Sequence, residues 1–145
     1  MNTEKNALQQ PDKVTKEIAL DELGEFVETY TYERPENWKL EDEYPQVLKA
    51  IQKGLIVFVD NKPTYSLVFP IKTDSGEIHV SECVFRTRIK PSQLAAITKG
   101  LNVAKQQVEY TLRCLSYVTG QSRTMIDKFE KFDYKVMEQV ASVFF

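Results

Sequence analysis

Histidine and tryptophan occur once each, cysteine twice and glycine five times among the 145 residues, and most of these shortages remove a class of chemistry. A tetrahedral zinc site needs several Cys or His ligands at short spacings, which His79, Cys83 and Cys114 do not supply. Both cysteines read as small buried apolar residues rather than a disulfide pair, as suits a reducing compartment. Gly24, Gly54, Gly76, Gly100 and Gly120 stand far apart, each near an expected element end, so no glycine-rich loop cradles a phosphate. A nucleophilic site would have to combine Ser81 or Cys83 with His79 and lacks a strained nucleophile turn. No apolar run approaches the roughly 20 residues that span a bilayer, and the first residues lack a charged-then-apolar signal pattern. The expectations are a cytoplasmic protein with no enzymatic, metal or cofactor chemistry and no membrane partner.

What is present begins with charge. From Asp21 to Tyr44 nine acids face two bases, a local balance of −7, whereas from Pro45 onward 14 bases face 9 acids. Solvated surfaces are one reading of this asymmetry; attraction between the two parts, within one molecule or between neighbours, is the other. The clustered carboxylates Asp21, Glu22 and Glu25, and Glu41, Asp42 and Glu43, read as a solvated face rather than an acid/base pair.

Composition and periodicity divide the chain into a polar, disordered tail over 1–13, an acidic helical segment over 14–54 and a mixed core over 55–145. In the middle segment Ile18, Leu20, Leu23, Phe26 and Val27 share a helical face. Tyr30 to Lys39 reads as a loop, with Pro35 opposing helix at Arg34. A second helix is expected over about 43–53, with Pro45 in its first turn and Gly54 as its stop.

Strands follow: Leu55 to Val59, Thr64 to Ile71 with Pro70 marking an edge or an end, and Ile78 to Thr87. Ile78, Val80 and Val84 should share one face of the third strand, opposite Cys83 and Phe85. Then come a helix opened by Pro91 and stopped near Gly100, and the longest helix, over about 103–118 and capped by Asn102. A short segment starting at Ser122 follows, and a final helix capped by Asp133 with Phe132 stapled on Met137. The fold class is therefore α+β: a small antiparallel three-stranded meander preceded by two short helices and followed by a C-terminal helical cluster.

Two features are candidates for function. Arg86, Arg88 and Lys90 form a possible electrostatic patch, for phosphates or for an acidic segment such as 21–43 of this same protein. No aromatics interleave with these bases and no recognition-helix pattern is visible, which counts against nucleic acid. The second feature is the amphipathic stretch Phe132 to Phe145, whose two closing aromatics must be buried in the protein's own core, in an oligomer or under a partner. Val136, Met137, Val140, Phe144 and Phe145, with Met125 and Phe129 upstream, are the candidate partner-binding residues. Closing their own core is the competing use.

Several stretches together carry a resemblance: Tyr65-Ser66-Leu67-Val68-Phe69-Pro70-Ile71, the Gly76 turn, the strand running into Val84-Phe85-Arg86, Pro91-Ser92-Gln93-Leu94, and Phe132-Asp133-Tyr134 through Phe144-Phe145. In this order they resemble the small tail assembly chaperones of long-tailed bacteriophages. The resemblance covers about Thr64 to Phe145. Two departures stand out: the segment 1–63 is longer than the family leads one to expect, and Arg86 to Pro91 spaces the Arg and Pro more widely. The resemblance implies a phage or prophage protein that coats the tape-measure protein, a long, largely helical chain, and keeps it soluble until tube subunits replace the coat. Self-association along that client, and a frameshifted longer form, are further implications. The rivals are a small structural tail component and a nucleic-acid-binding regulator using Arg86, Arg88 and Lys90.

Overall fold

The computed structural model describes residues 6–145. Three helices come first, α1 (Lys16–Thr31), α2 (Asn37–Glu43) and α3 (Pro45–Gln52), then strands β1 (Ile56–Val59), β2 (Lys62–Lys72) and β3 (Ile78–Val84). Four helices follow, α4 (Pro91–Thr98), α5 (Gln107–Thr119), α6 (Arg123–Ile126) and α7 (Lys131–Ser142). The strands form one antiparallel sheet in the order β1-β2-β3, so the fold is α+β with helices before and after the meander.

Local chemistry explains most of these elements. The α1 face of Ala19, Leu20, Leu23, Phe26 and Val27 is buried, and the Thr15 hydroxyl accepts from the Ile18 N–H at its start. Gly24 does not interrupt the helix, because its bare backbone is where the Arg34 side chain lies: a Cβ there would stand 2.7 Å from Arg34 Nε. So placed, the guanidinium reaches Asp21 at 2.5 Å. Pro45 and Pro91 occupy first-turn positions of α3 and α4, where a missing N–H costs nothing. Asp60 and Asn61, at φ 53° and 60°, make the two-residue hairpin between β1 and β2.

The differences from the sequence reading have tertiary causes. Of the tail expected over 1–13, residues 1–5 lie outside the described residues. Asn6–Lys13 is tied down: Asn6 caps a 3-10 turn over Ala7–Gln9, Lys53 Nζ donates to the Gln10 carbonyl at 2.6 Å, and Lys13 N–H donates to the Gln52 carbonyl at 2.8 Å. A third helix, α2, stands in the expected loop, because Leu40 is fully buried and fixes that turn against the core. The longest helix is α1 rather than α5; Asn102 folds a separate turn, accepting from Lys105 N–H, and α5 starts at Gln107.

Pro70 lies inside the central strand, not at an edge or an end. It is tolerated because pairing is irregular there: between the pairs Ser66↔Glu82 and Ile71↔Val80, four residues of β2 oppose Ser81 alone. The same irregularity rearranges the faces of β3, burying Val80 and Cys83 and exposing Ile78 and Val84. The strand stops at Val84 because Arg86 N–H turns away to the Val118 carbonyl of α5 at 2.7 Å. One cluster of buried side chains runs from Ala19 in α1 to Val143 beyond α7, so 14–54 and 55–145 share a core.

Candidate partner-binding surface

α7 supplies most of the candidate partner-binding residues, and its surroundings decide which of them reach the surface. Val136, Met137 and Val140 are fully buried, and Phe129 nearly so, where α7 packs on α3, α5 and β2. These four candidate partner-binding residues close the protein's own core, the competing use; a partner helix laid there would have to expel it. Met125 and Phe144 are half-buried, and Phe145 is 39% exposed. Gln139, on the same helix, accepts from the Gln46 and Val47 N–H groups at 3.0 and 3.2 Å and so caps α3, which has no cap of its own.

Asp133 is not the expected cap. It is fully buried in the first turn of α7, which begins after Glu130, and its carboxylate accepts from three donors of the central strand. These are the Tyr65 hydroxyl at 2.5 Å and the Val68 and Phe69 N–H groups at 2.9 and 3.0 Å. The stretch of β2 that has lost regular pairing with β3 thus finds its acceptor on α7. Tyr65 pairs across the sheet with Cys83. Burial, followed by the hydrogen bond to Asp133 and its charge, pushes the Tyr65 phenol up. Burial and then the Asp133 charge push the Cys83 thiol up to about 12, so it stays protonated and unreactive at neutral pH. Cys114 is likewise buried and free, and His79 is exposed on β3. Among the described residues no cluster of His, Cys, Asp or Glu could hold a metal ion.

Beyond α7 the two aromatics part company. Phe144 joins an edge-to-face cluster, with ring centroids 5.7 Å from Phe26 and 5.0 Å from Tyr30, and Phe58 stacks on Phe26 from the sheet. Phe145 leans on Tyr110 of α5 at 6.5 Å and stands between two hollows. One, of about 250 Å³, is floored by Tyr110, Cys114 and Ala141; the other, of about 380 Å³, by Ile89, Pro91 and Leu94. Leu94, 39% exposed, continues this apolar strip onto α4.

Family models, curated proteins and solved structures give no match to this chain.

The three bases of the candidate patch are all exposed. The Arg86 guanidinium lies 5.1 Å from the Tyr117 ring centroid of α5, and Arg88 and Lys90 project from the segment between β3 and α4. The residue that sequence reasoning missed is Asp133 as an internal tie. The signal was available: Asp133 lies on the same helical stripe as Val136, Met137 and Val140, and an acid on a buried stripe demands donors.

Proposed function

We propose that this protein is a tail assembly chaperone of a long-tailed phage or prophage, acting in the cytoplasm of a bacterial host without enzymatic chemistry. Its client would be the tape-measure protein, held soluble by reversible apolar contacts. The observation that carries the reading is the strip of Phe145 and Leu94, each 39% exposed, with Phe145 standing between two apolar hollows and Leu94 lining one of them. Hollows separated by an aromatic ridge suit the spaced anchors of an amphipathic helix. They do not require one client sequence, which suits a chaperone that must cover a long, imperfectly repeating chain.

The test is co-expression with the long helical reading frame expected nearby in the source genome. The client should become soluble and co-purify with the wild-type chain. Removing the last three residues would be a poor probe, because Val143 is buried and Phe144 packs on Phe26. The double variant Leu94→Ser, Phe145→Ser touches the strip alone, and it should abolish co-purification while the thermal midpoint stays within a few degrees. Undiminished rescue by that variant, or no association of the folded wild type with the client, would defeat the proposal.

A further inference from the structure

Among the described residues several main-chain stretches lack partners, the outer edges of both β1 and β3 included, and two of them lie beside charges of opposite sign. The first is the outer edge of β1. The hairpin pairs Val59 with Lys62, and the Leu55 carbonyl accepts from Ser66 N–H at 2.8 Å. By the alternation of an antiparallel ladder, Ile56 and Phe58 then direct their N–H and C=O groups away from β2. Among the described residues no main-chain group outside the sheet meets them. Beside this edge runs a cleft of about 530 Å³ between α1 and β1, with Val14, Ile56 and Phe58 along it. Glu22 and Glu25 of α1 and Asp60 of the hairpin stand on its rim, and none of the three is in an ion pair among the described residues.

The second stretch is Thr87 to Ile89. Its exposure alternates residue by residue, with Arg86, Arg88 and Lys90 outward and Thr87 and Ile89 half-buried, as an extended chain requires. The N–H groups of Thr87, Arg88 and Ile89 have no main-chain partner, and Arg88 and Lys90 have no acid within ion-pair distance among the described residues. Both stretches border one residue: Tyr30 lines the hollow that contains Arg88, and its hydroxyl donates to the carbonyl of Asn61 on the rim of the acidic cleft.

We propose that the acidic cleft beside β1 receives the Arg88–Lys90 stretch of a second copy of this chain. The free main chain of Thr87 to Ile89 would supply the hydrogen bonds that the β1 edge lacks, as in strand addition, while Lys90, whose own main chain is tied to the first turn of α4, would contribute its side chain. Arg88 would pair with Glu22 or Glu25, a guanidinium being suited to carboxylates by its planar fork. Lys90 would answer the remaining carboxylate or Asp60. Because cleft and basic stretch lie on either side of Tyr30, each copy can give its own stretch and take its neighbour's. The inference is independent of the proposed client.

Light scattering coupled to size exclusion tests it on the full chain. The wild type should associate at low ionic strength. It should dissociate as salt rises from about 0.01 M to about 1 M, where the screening length falls from about 30 Å to about 3 Å. The acid-reversed variant Glu22→Lys, Glu25→Lys and the base-reversed variant Arg88→Glu, Lys90→Glu should each weaken association more than about tenfold. All the replaced side chains are exposed, so both variants should keep the wild-type circular dichroism spectrum. Mixed together, the two variants should associate again, since every reversed cleft then meets a reversed stretch. A wild type that is monomeric at low salt would overturn the proposal. So would single variants that associate like the wild type, or a mixture that fails to restore what each reversal removed.

Discussion

The two ends of α7 invert the usual distribution of polarity. Asp133, in the first turn, is charged and fully buried; Phe145, beyond the last turn, is aromatic and 39% exposed. The difference is in what each end meets. At the first end β2 has broken its ladder and offers two N–H groups and a hydroxyl, so the carboxylate replaces water with three donors. At the other end Phe26 and Tyr30 are already covered by Phe144, with Phe58 on the far side against Phe26, and the next ring finds Tyr110. Burial here follows the partners available at a position, not the hydropathy of the residue that occupies it.

Replacing Asp133 should break the contrast most severely. Asp133→Leu leaves the Tyr65 hydroxyl and the Val68 and Phe69 N–H groups without an acceptor, and at about 1–3 kcal/mol for each unsatisfied group the loss should reach about 3–5 kcal/mol. Urea unfolding measures it, and a loss below about 1 kcal/mol would show that the tie does not hold α7 to the sheet.

Alkaline pH should loosen the same node more gradually. Cys83 ordinarily titrates near 9 and is pushed up to about 12 in the fold by burial and the Asp133 charge, and Tyr65 is raised in the same direction. Between those values the folded state holds protons that the unfolded chain releases. Stability is thus unaffected below about pH 9 and falls as pH rises, by about 1.4 kcal/mol per pH unit for each group titrating in the unfolded chain. Cys83→Ala should make the fall between about pH 9 and 10 shallower, the buried Cys114 thiol, also raised, accounting for what remains there, and Tyr65 and the other raised tyrosines for the fall above it. An unchanged profile would mean that the thiol does not titrate differently in the two states.

Smaller effects lie further along the helix. Gln139→Ala removes the cap that α7 gives to α3 and should cost about 1 kcal/mol, the usual worth of a helix cap. Thermal unfolding with Gln139→Glu alongside would separate the acceptor from the amide donor. Phe145→Ser should change stability least, by about 0.5 kcal/mol or less, while removing most of the client rescue. A large stability loss would show that the ring closes the core after all, and that the two ends of α7 are alike.

The sequence could be read wherever the cause of structure is local. Pro45 and Pro91 open helices, Ser122 caps α6 through Met125 N–H at 3.1 Å, and Asp60-Asn61 and Gly76 turn the chain between strands. The α1 stripe from Leu20 to Val27 lies in the core as its spacing requires. Legibility failed where a distant contact intervened. Leu40 makes α2 out of a proline-flanked, aromatic-rich stretch, and the turn of Arg86 to Val118 ends β3 three residues before the strand pattern does. Among the candidate binding residues, periodicity marked the apolar face from Val136 to Phe145 but could not tell the buried part from the exposed part.

What the sequence by itself determined, then, is the order and kind of the elements other than α2 and the turn at Ala7–Gln9, the α+β class and the charge asymmetry between the acidic 21–44 stretch and the rest. These follow from side-chain period, turn chemistry and net charge, each set within a few neighbouring residues. Tertiary structure alone decided that Asp133 ties α7 to β2 across 64 to 68 residues of chain, that Gln139 caps a helix 93 residues away, and that Phe145 is left at the surface. Among the described residues it also left the β1 edge and the main chain of Thr87 to Ile89 without main-chain partners, one beside acids and the other among bases. Such pairings depend on which groups remain unsatisfied after the elements have packed, and no local spacing encodes that remainder.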